Sequence, residues 1–190
     1  MNNPARVSSR RVYTGRVLNL DIDTVRFPDA SQGELEIIRH SGASAVVPLL
    51  DDPSHTDPRV VLIRQYRYAA DGYVYEIPAG RLDKEESPEV CAHRELEEET
   101  GYRAAHMKPL ISVFTTPGFT DERIHLFLAW GLTSGQEHRE RDEFLTTLTL
   151  PLSQVLQMIE RSEIDDAKTV VALLYAAAFG HDSQGRRGIY

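Results

Sequence analysis

Glu95, Glu98 and Glu99 fall at i, i+3 and i+4. On a helix that spacing puts all three on one face, with neighbouring Cβ atoms about 5–6 Å apart. Like charges so close repel, by a few tenths of a kcal/mol per pair. A divalent cation reverses the sign of that interaction. Mg²⁺ takes an octahedral shell from one or two carboxylates, water and substrate phosphate oxygens. The chemistry these residues suggest is metal-assisted work on a phosphate-bearing substrate. Arg94 stands four residues before Glu98, the spacing of a helical ion pair. Glu86 sits near the helix entrance, where the dipole favours an anion. Gly80 permits a turn that a side chain would obstruct, which makes the carbonyl of Ala79 a candidate ligand. Acidic runs on helices are usually solvated faces, and Glu97 reads as one. Glycine, arginine and glutamates at fixed offsets do not.

These residues must be held by a strand, a loop and a helix. Tyr73–Ile77 reads as a short strand ending at Pro78-Ala79-Gly80. Ser87 can cap the following helix, Pro88 suits its first position and Gly101 its stop. Upstream, Arg11–Leu18, Leu20–Phe27 and Glu34–His40 read as strands, with turn signals at Asn19 and 28–33. Ala43–Leu50 and Arg59–Tyr66 are apolar strands separated by the exposed loop 51–58. Downstream, Ile111–Thr115, Ile124–Trp130 and Phe144–Leu150 read as strands, and Ser153–Arg161 and Asp166–Phe179 as helices. Strands around one central helix, with a helical end, predict an α+β sandwich. Gly80 is followed by Arg81 and Leu82, so no dinucleotide-binding glycine fingerprint is present.

Composition narrows the function. The 190 residues carry one cysteine, Cys91, and a net charge of -8. No disulfide framework is possible within the chain, and a reducing cytoplasm is expected. No apolar run reaches the ~20 residues of a membrane helix, so no membrane partner is expected. An acidic chain without a basic face argues against nucleic acid as partner. It can still take an anionic diphosphate if a divalent cation bridges the two. The seven histidines lack the spacing of a zinc site.

The stretch Gly80–Tyr102 resembles the Nudix box, G-x5-E-x7-R-E-U-x-E-E-x-G-U with U apolar. Gly80, Glu86, Arg94, Glu95, Glu98, Glu99 and Gly101 occupy its fixed positions, and Leu96 its first apolar slot. Tyr102 fills the last slot, where an aliphatic residue is commoner. The resemblance implies a Nudix-type α/β/α sandwich with a mixed sheet over roughly 43–150. It implies Mg²⁺, with Mn²⁺ as a substitute, held by Glu95, Glu99, Glu98 and the Ala79 carbonyl. Gly80, Glu86 and Arg94 become structural supports.

Residues outside the box point to a substrate. Pro117 lies fifteen residues past Tyr102, in Thr116-Pro117-Gly118-Phe119-Thr120-Asp121-Glu122. This resembles the marker of the ADP-ribose pyrophosphatase subfamily, as does Gln65-Tyr66-Arg67. The resemblance implies that Glu122 touches a ribose hydroxyl and Arg67 the diphosphate or terminal ribose; Pro117 and Arg81 complete the substrate-binding candidates. An ordinary Pro-Gly turn and a strand-end arginine are the plainer readings. The implied general base lies on a loop beyond the box. Glu143 is favoured there, then Glu140, with Glu98 as a further catalytic candidate. The expected reaction is ADP-ribose plus water giving AMP and ribose 5-phosphate. The alternatives are a Nudix hydrolase of another nucleoside diphosphate sugar or a damaged nucleotide, and a ligand-sensing Nudix domain without catalysis. The expected organisation is 1–40 as an N-terminal antiparallel sheet serving a homodimer, 41–180 as the Nudix domain, and 181–190 as a flexible tail.

Overall fold

A computed structural model describes residues 6–135 and 144–179. The chain divides into two compact units. The first holds residues up to Gly42 together with Val113–Ile124. Its strands β1 (Arg6–Thr14), β2 (Asn19–Arg26) and β3 (Gln32–Arg39) form an antiparallel sheet in that order. The sequence places the first strand at Arg11–Leu18, but it begins at Arg6 and ends at Thr14. The Gly15 amide donates to the Leu18 carbonyl at 2.9 Å and closes the turn there. A Cβ on Gly15 would lie 2.7 Å from the exposed Tyr13 ring and 3.0 Å from the Leu18 carbonyl, so a larger residue would push that ring aside.

Alternation along β2 buries Asp21, Asp23 and Val25. Two buried carboxylates need a cation, and Arg39 from β3 supplies it. Its guanidinium binds Asp23, Asp21 at 3.1 Å and Asp121 at 3.2 Å. The loop 115–122 is thereby tied to the sheet, and a bridge between Ile38 and Thr120 adds to the tie.

The second unit holds β4 (Ala43–Pro48), β5 (Arg59–Arg67), β6 (Gly72–Glu76), β7 (Ala79–Arg81), α1 (Pro88–Thr100), most of β8 (Tyr102–Phe114) and β9 (Arg123–Ser134), β10 (Leu145–Pro151), α2 (Leu152–Glu160) and α3 (Ala167–Phe179). Its strands make a four-stranded mixed sheet, β7-β4-β9-β8, and an antiparallel one, β10-β5-β6. Every residue of β4 is buried, as are Val60–Ile63 of β5. Such continuous apolar runs suit strands covered on both faces. α1 packs on β4 and β7, α2 on β10 and β5, and α3 on β4. Val46, Ala92, Leu96, Phe127 and Ala129 form a core cluster directly beneath α1.

β8 is much longer than the expected Ile111–Thr115. Its polar residues Arg103, His106 and Lys108 sit on a sheet edge with one face open, so no apolar run announces it.

Candidate metal centre

α1 begins and ends as its sequence dictates. The Ser87 hydroxyl accepts from the Val90 amide at 3.4 Å, and Pro88 opens the helix. Gly101 takes a left-handed φ of +71°, and its amide donates to the Glu97 carbonyl. The buried face reads Cys91, Ala92, Glu95, Leu96, Glu99 and Thr100. Two of the three clustered glutamates therefore lie on the inner edge of the helix, Glu95 at 7% and Glu99 at 1% exposure. Burying carboxylates costs several kcal/mol each unless they are paired, so a mere solvated face is ruled out. Glu98 stays about one-third exposed at the rim. Glu97 turns to Arg103, whose Nε donates at 2.7 Å.

Arg94 organises this charge. Its Nε and Nη2 grip Glu86 at 2.9 Å each, a bidentate fork. Nη1 reaches Glu95 at 2.6 Å and Glu98 at 3.0 Å, the latter the expected i,i+4 pair. Nη2 also donates to the Arg81 carbonyl at 3.0 Å. The Arg94 fork holds the Glu86 carboxyl at about 2, helped by the Asp83 amide and opposed by burial. Arg94 itself is held cationic well above its usual range, first by Glu86. Burial pushes the Cys91 thiol up to about 11, with the Glu95 charge adding to it, so it stays protonated at neutral pH.

Strand β7 and its approach, which face these carboxylates, are equally defined. The Ala79 amide donates to Glu99 Oε2 at 2.9 Å. A Cβ on Gly80 would lie 1.8 Å from Glu95 Oε1, so only glycine leaves this carboxylate where it stands. The Val46 amide donates to the Pro78 carbonyl at 3.0 Å, and Ala45 pairs with Ala79. In an antiparallel ladder, hydrogen-bonded and non-hydrogen-bonded pairs alternate. Ala45–Ala79 is thus a non-hydrogen-bonded pair, and Ala79 turns both N–H and C=O off β4, toward the side from which Glu99 takes its amide.

This donor set suits a hard divalent cation, which binds oxygens. Glu95, Glu99 and the Ala79 carbonyl supply them, with Glu98 at the rim. Among the described residues no three His, Cys, Asp or Glu side chains enclose an ion position by themselves. Arg94 Nη1 bridges Glu95 and Glu98 instead, and keeps them from repelling each other.

The other sequence candidates fall in different places. Arg67, at the end of β5, forks onto Glu76 at 2.7 and 2.8 Å. Glu76 is 2% exposed and also binds Lys168. Burial pushes the Glu76 carboxyl up, yet Arg67 and Lys168 hold it below its usual range. Arg81 is exposed on β7. Pro117 lies in a turn closed by the Phe119 and Thr120 amides on the Thr116 carbonyl. Glu122 accepts from Thr115 Oγ1 at 2.9 Å and lies 3.4 Å from His40 Nδ1. It borders a cleft of about 270 Å³, formed within the first unit, whose walls include Val17, Leu18, Phe119 and Thr116. Glu140 and Glu143 lie outside the described residues.

Sequence reasoning missed Glu76, Asp166, Lys168 and Thr169. They stand some 90 residues apart along the chain, beyond the reach of any spacing rule. One signal was present: a glutamate, Glu76, inside the otherwise apolar run Tyr73–Ile77.

Residues 40–173 match the family model described as NUDIX domain. The chain is 41% identical over 171 residues to the methanol dehydrogenase activator of Bacillus methanolicus, across 89% of this chain and 90% of the relative. It is 37% identical over 171 residues to the ADP-ribose pyrophosphatase of Bacillus subtilis, with the same shares covered. A crystal structure of an ADP compounds hydrolase superposes with a TM-score of 0.78 over 93% of both chains at 22% identity, a likeness of fold. No helix among the described residues is long and apolar enough to cross a membrane. Nudix proteins generally use divalent metal ions. With its box residues gathered on one helix edge against one loop, and relatives matched along nearly the whole chain, this protein belongs to the Nudix family.

Proposed function

We propose that the protein hydrolyses the diphosphate bond of ADP-ribose, giving AMP and ribose 5-phosphate, with Mg²⁺ as its cofactor and Mn²⁺ as a substitute. One observation carries the reading: Glu95 and Glu99 are buried on the inner edge of α1, against strand β7, where Gly80 leaves room for a carboxylate. The match to an ADP-ribose pyrophosphatase supports the substrate.

Glu95, Glu99 and the Ala79 carbonyl would hold the ion, with Glu98 as a further ligand at the rim. When bound, a divalent ion neutralises the diphosphate and assists attack by water. The chain's own contribution is positioning. Arg94 and Glu86 fix the ligand helix to its loop, and Glu99 fixes Ala79 through its amide. Arg67 meets the diphosphate or terminal ribose, and Arg81 and Pro117 border the substrate. Glu122 takes a ribose hydroxyl, held ready by Thr115. Glu143 is the favoured general base, with Glu140 second. Residues 1–40 serve a homodimer, 41–180 form the hydrolase domain, and the enzyme works in the cytoplasm.

The test compares AMP release from ADP-ribose with turnover of ADP-glucose, GDP-mannose and an oxidised nucleoside triphosphate, with Mg²⁺ and with EDTA. ADP-ribose should lead, and EDTA should abolish turnover. ADP-ribose among the poorest substrates would overturn the assignment. Binding of ADP-ribose with no Mg²⁺-dependent AMP release would favour the sensing domain instead.

A further inference from the structure

The first turn of α3 ends in a buried polar cluster with no place in the chemistry above. Thr169 is fully buried. Its hydroxyl donates to Asp166 Oδ2 at 2.6 Å and accepts from the Ile77 amide at 2.9 Å. Asp166 Oδ2 also accepts from the Thr169 amide at 3.0 Å, as a helix cap does, and from Lys168 Nζ at 3.0 Å. Lys168 in turn binds Glu76, which holds the Arg67 fork.

We propose that Thr169 is a positioning residue for the metal loop, its hydroxyl holding the Ile77 amide and through it the backbone that presents the Ala79 carbonyl. The proposal rests on reading Ala79 and Glu99 as metal ligands. Four consecutive residues are tethered to three different elements. Glu76 and Ile77 are tied to the start of α3, Pro78 to β4, and Ala79 to α1. Pro78 has a fixed φ near −65° and restricts the backbone of Ile77 before it, which removes part of the torsional freedom between Ile77 and Ala79. A shift at Ile77 therefore reaches the Ala79 carbonyl.

The plainer alternative is that Thr169 only stabilises α3. The cap does not require its hydroxyl, because Asp166 takes the Thr169 backbone amide directly. The hydroxyl's distinct partner is the Ile77 amide, and that partner lies two residues from the metal loop's carbonyl.

Thr169→Val keeps the shape, leaves the Asp166 cap in place and removes the acceptor. Thr169→Ser restores an oxygen. Mn²⁺ affinity measured by electron paramagnetic resonance on the full chain, beside thermal unfolding, separates the two roles. Thr169→Val should weaken Mn²⁺ binding about 10-fold, the range for residues that orient metal ligands. Thr169→Ser should stay within about 2-fold of the parent. A lowered Tm with unchanged Mn²⁺ affinity in Thr169→Val would overturn the proposal. In the unaltered protein, Mn²⁺ should slow hydrogen exchange at the Ile77 and Ala79 amides together. An Ile77 amide indifferent to Mn²⁺ would overturn the proposal even if Thr169→Val failed to fold. Glu99→Gln separates this idea from its premise. Normal Mn²⁺ binding in Glu99→Gln would sink the ligand reading. Loss there, with none in Thr169→Val, would sink the positioning role alone.

Discussion

Replacing Gly80 with alanine adds one methyl group at the tightest point of the site. The new Cβ would fall 1.8 Å from Glu95 Oε1, 2.0 Å from its Cδ and 2.4 Å from Oε2. Ordinary contact needs about 3.5 Å, so the nearest carboxylate oxygen must retreat by about 1.7 Å. Glu95 ends in a flexible side chain, and its three carboxyl atoms are the nearest that the new Cβ would meet. The fold should therefore survive, at a cost of about 1–2 kcal/mol for overpacking and for the strained 2.6 Å contact with Arg94. Catalysis should not survive, because a displacement near 1 Å in a reacting constellation costs about 100-fold. The assay is AMP release from ADP-ribose at saturating Mg²⁺, alongside urea unfolding. We expect kcat/KM to drop at least ~100-fold while unfolding shifts only slightly. A variant within about 3-fold of the parent would refute the placement of Glu95, since displacing its carboxylate would then not matter.

The Glu86 carboxyl is held at about 2 in the folded chain against an ordinary value of 4.5, chiefly by Arg94. A depressed acid stabilises fully above its unfolded value, so this contribution should be present at pH 7 and lost between about 4.5 and 2. It amounts to about 1–2 kcal/mol after screening, and acid titration of stability should flatten in that window in Glu86→Gln; an unchanged acid limb would contradict the pairing. Arg67→Ala leaves buried Glu76 with Lys168 alone, and should cost about 2–4 kcal/mol in urea unfolding. It should also raise KM for ADP-ribose; a stability loss with KM unchanged would make Arg67 a structural partner only. Glu143→Gln should lower kcat by ~100-fold or more with the fold intact, and an unchanged rate would shift the role of base to Glu140.

The metal helix was legible because its determinants are local. Ser87, Pro88 and Gly101 mark its ends, and Arg94–Glu98 is an i,i+4 pair. Gly80 was legible as a special position but was read as a turn; it lies instead within strand β7, paired with Ser44 of β4. Its reason was not legible, since the space above Gly80 is filled by Glu95, fifteen residues on. The Arg94–Glu86 fork spans eight residues and was read as two separate supports rather than one lock. The cluster of Glu76, Lys168 and Thr169 was invisible, because folding brings together residues about 90 positions apart. Strand limits failed where edges are polar. β8 carries no apolar run to mark its start, and β1 ends at a turn decided by one Gly15–Leu18 hydrogen bond.

Glu95, Glu99 and the Ala79 carbonyl are proposed to hold one divalent cation. Anomalous diffraction from crystals soaked in Mn²⁺ tests it directly. A peak is expected within coordination distance, about 2.2 Å, of Glu95, Glu99 and the Ala79 oxygen. Ordered crystals that bind Mn²⁺ elsewhere, with no density between α1 and the start of β7 at Ala79–Gly80, would contradict the assignment.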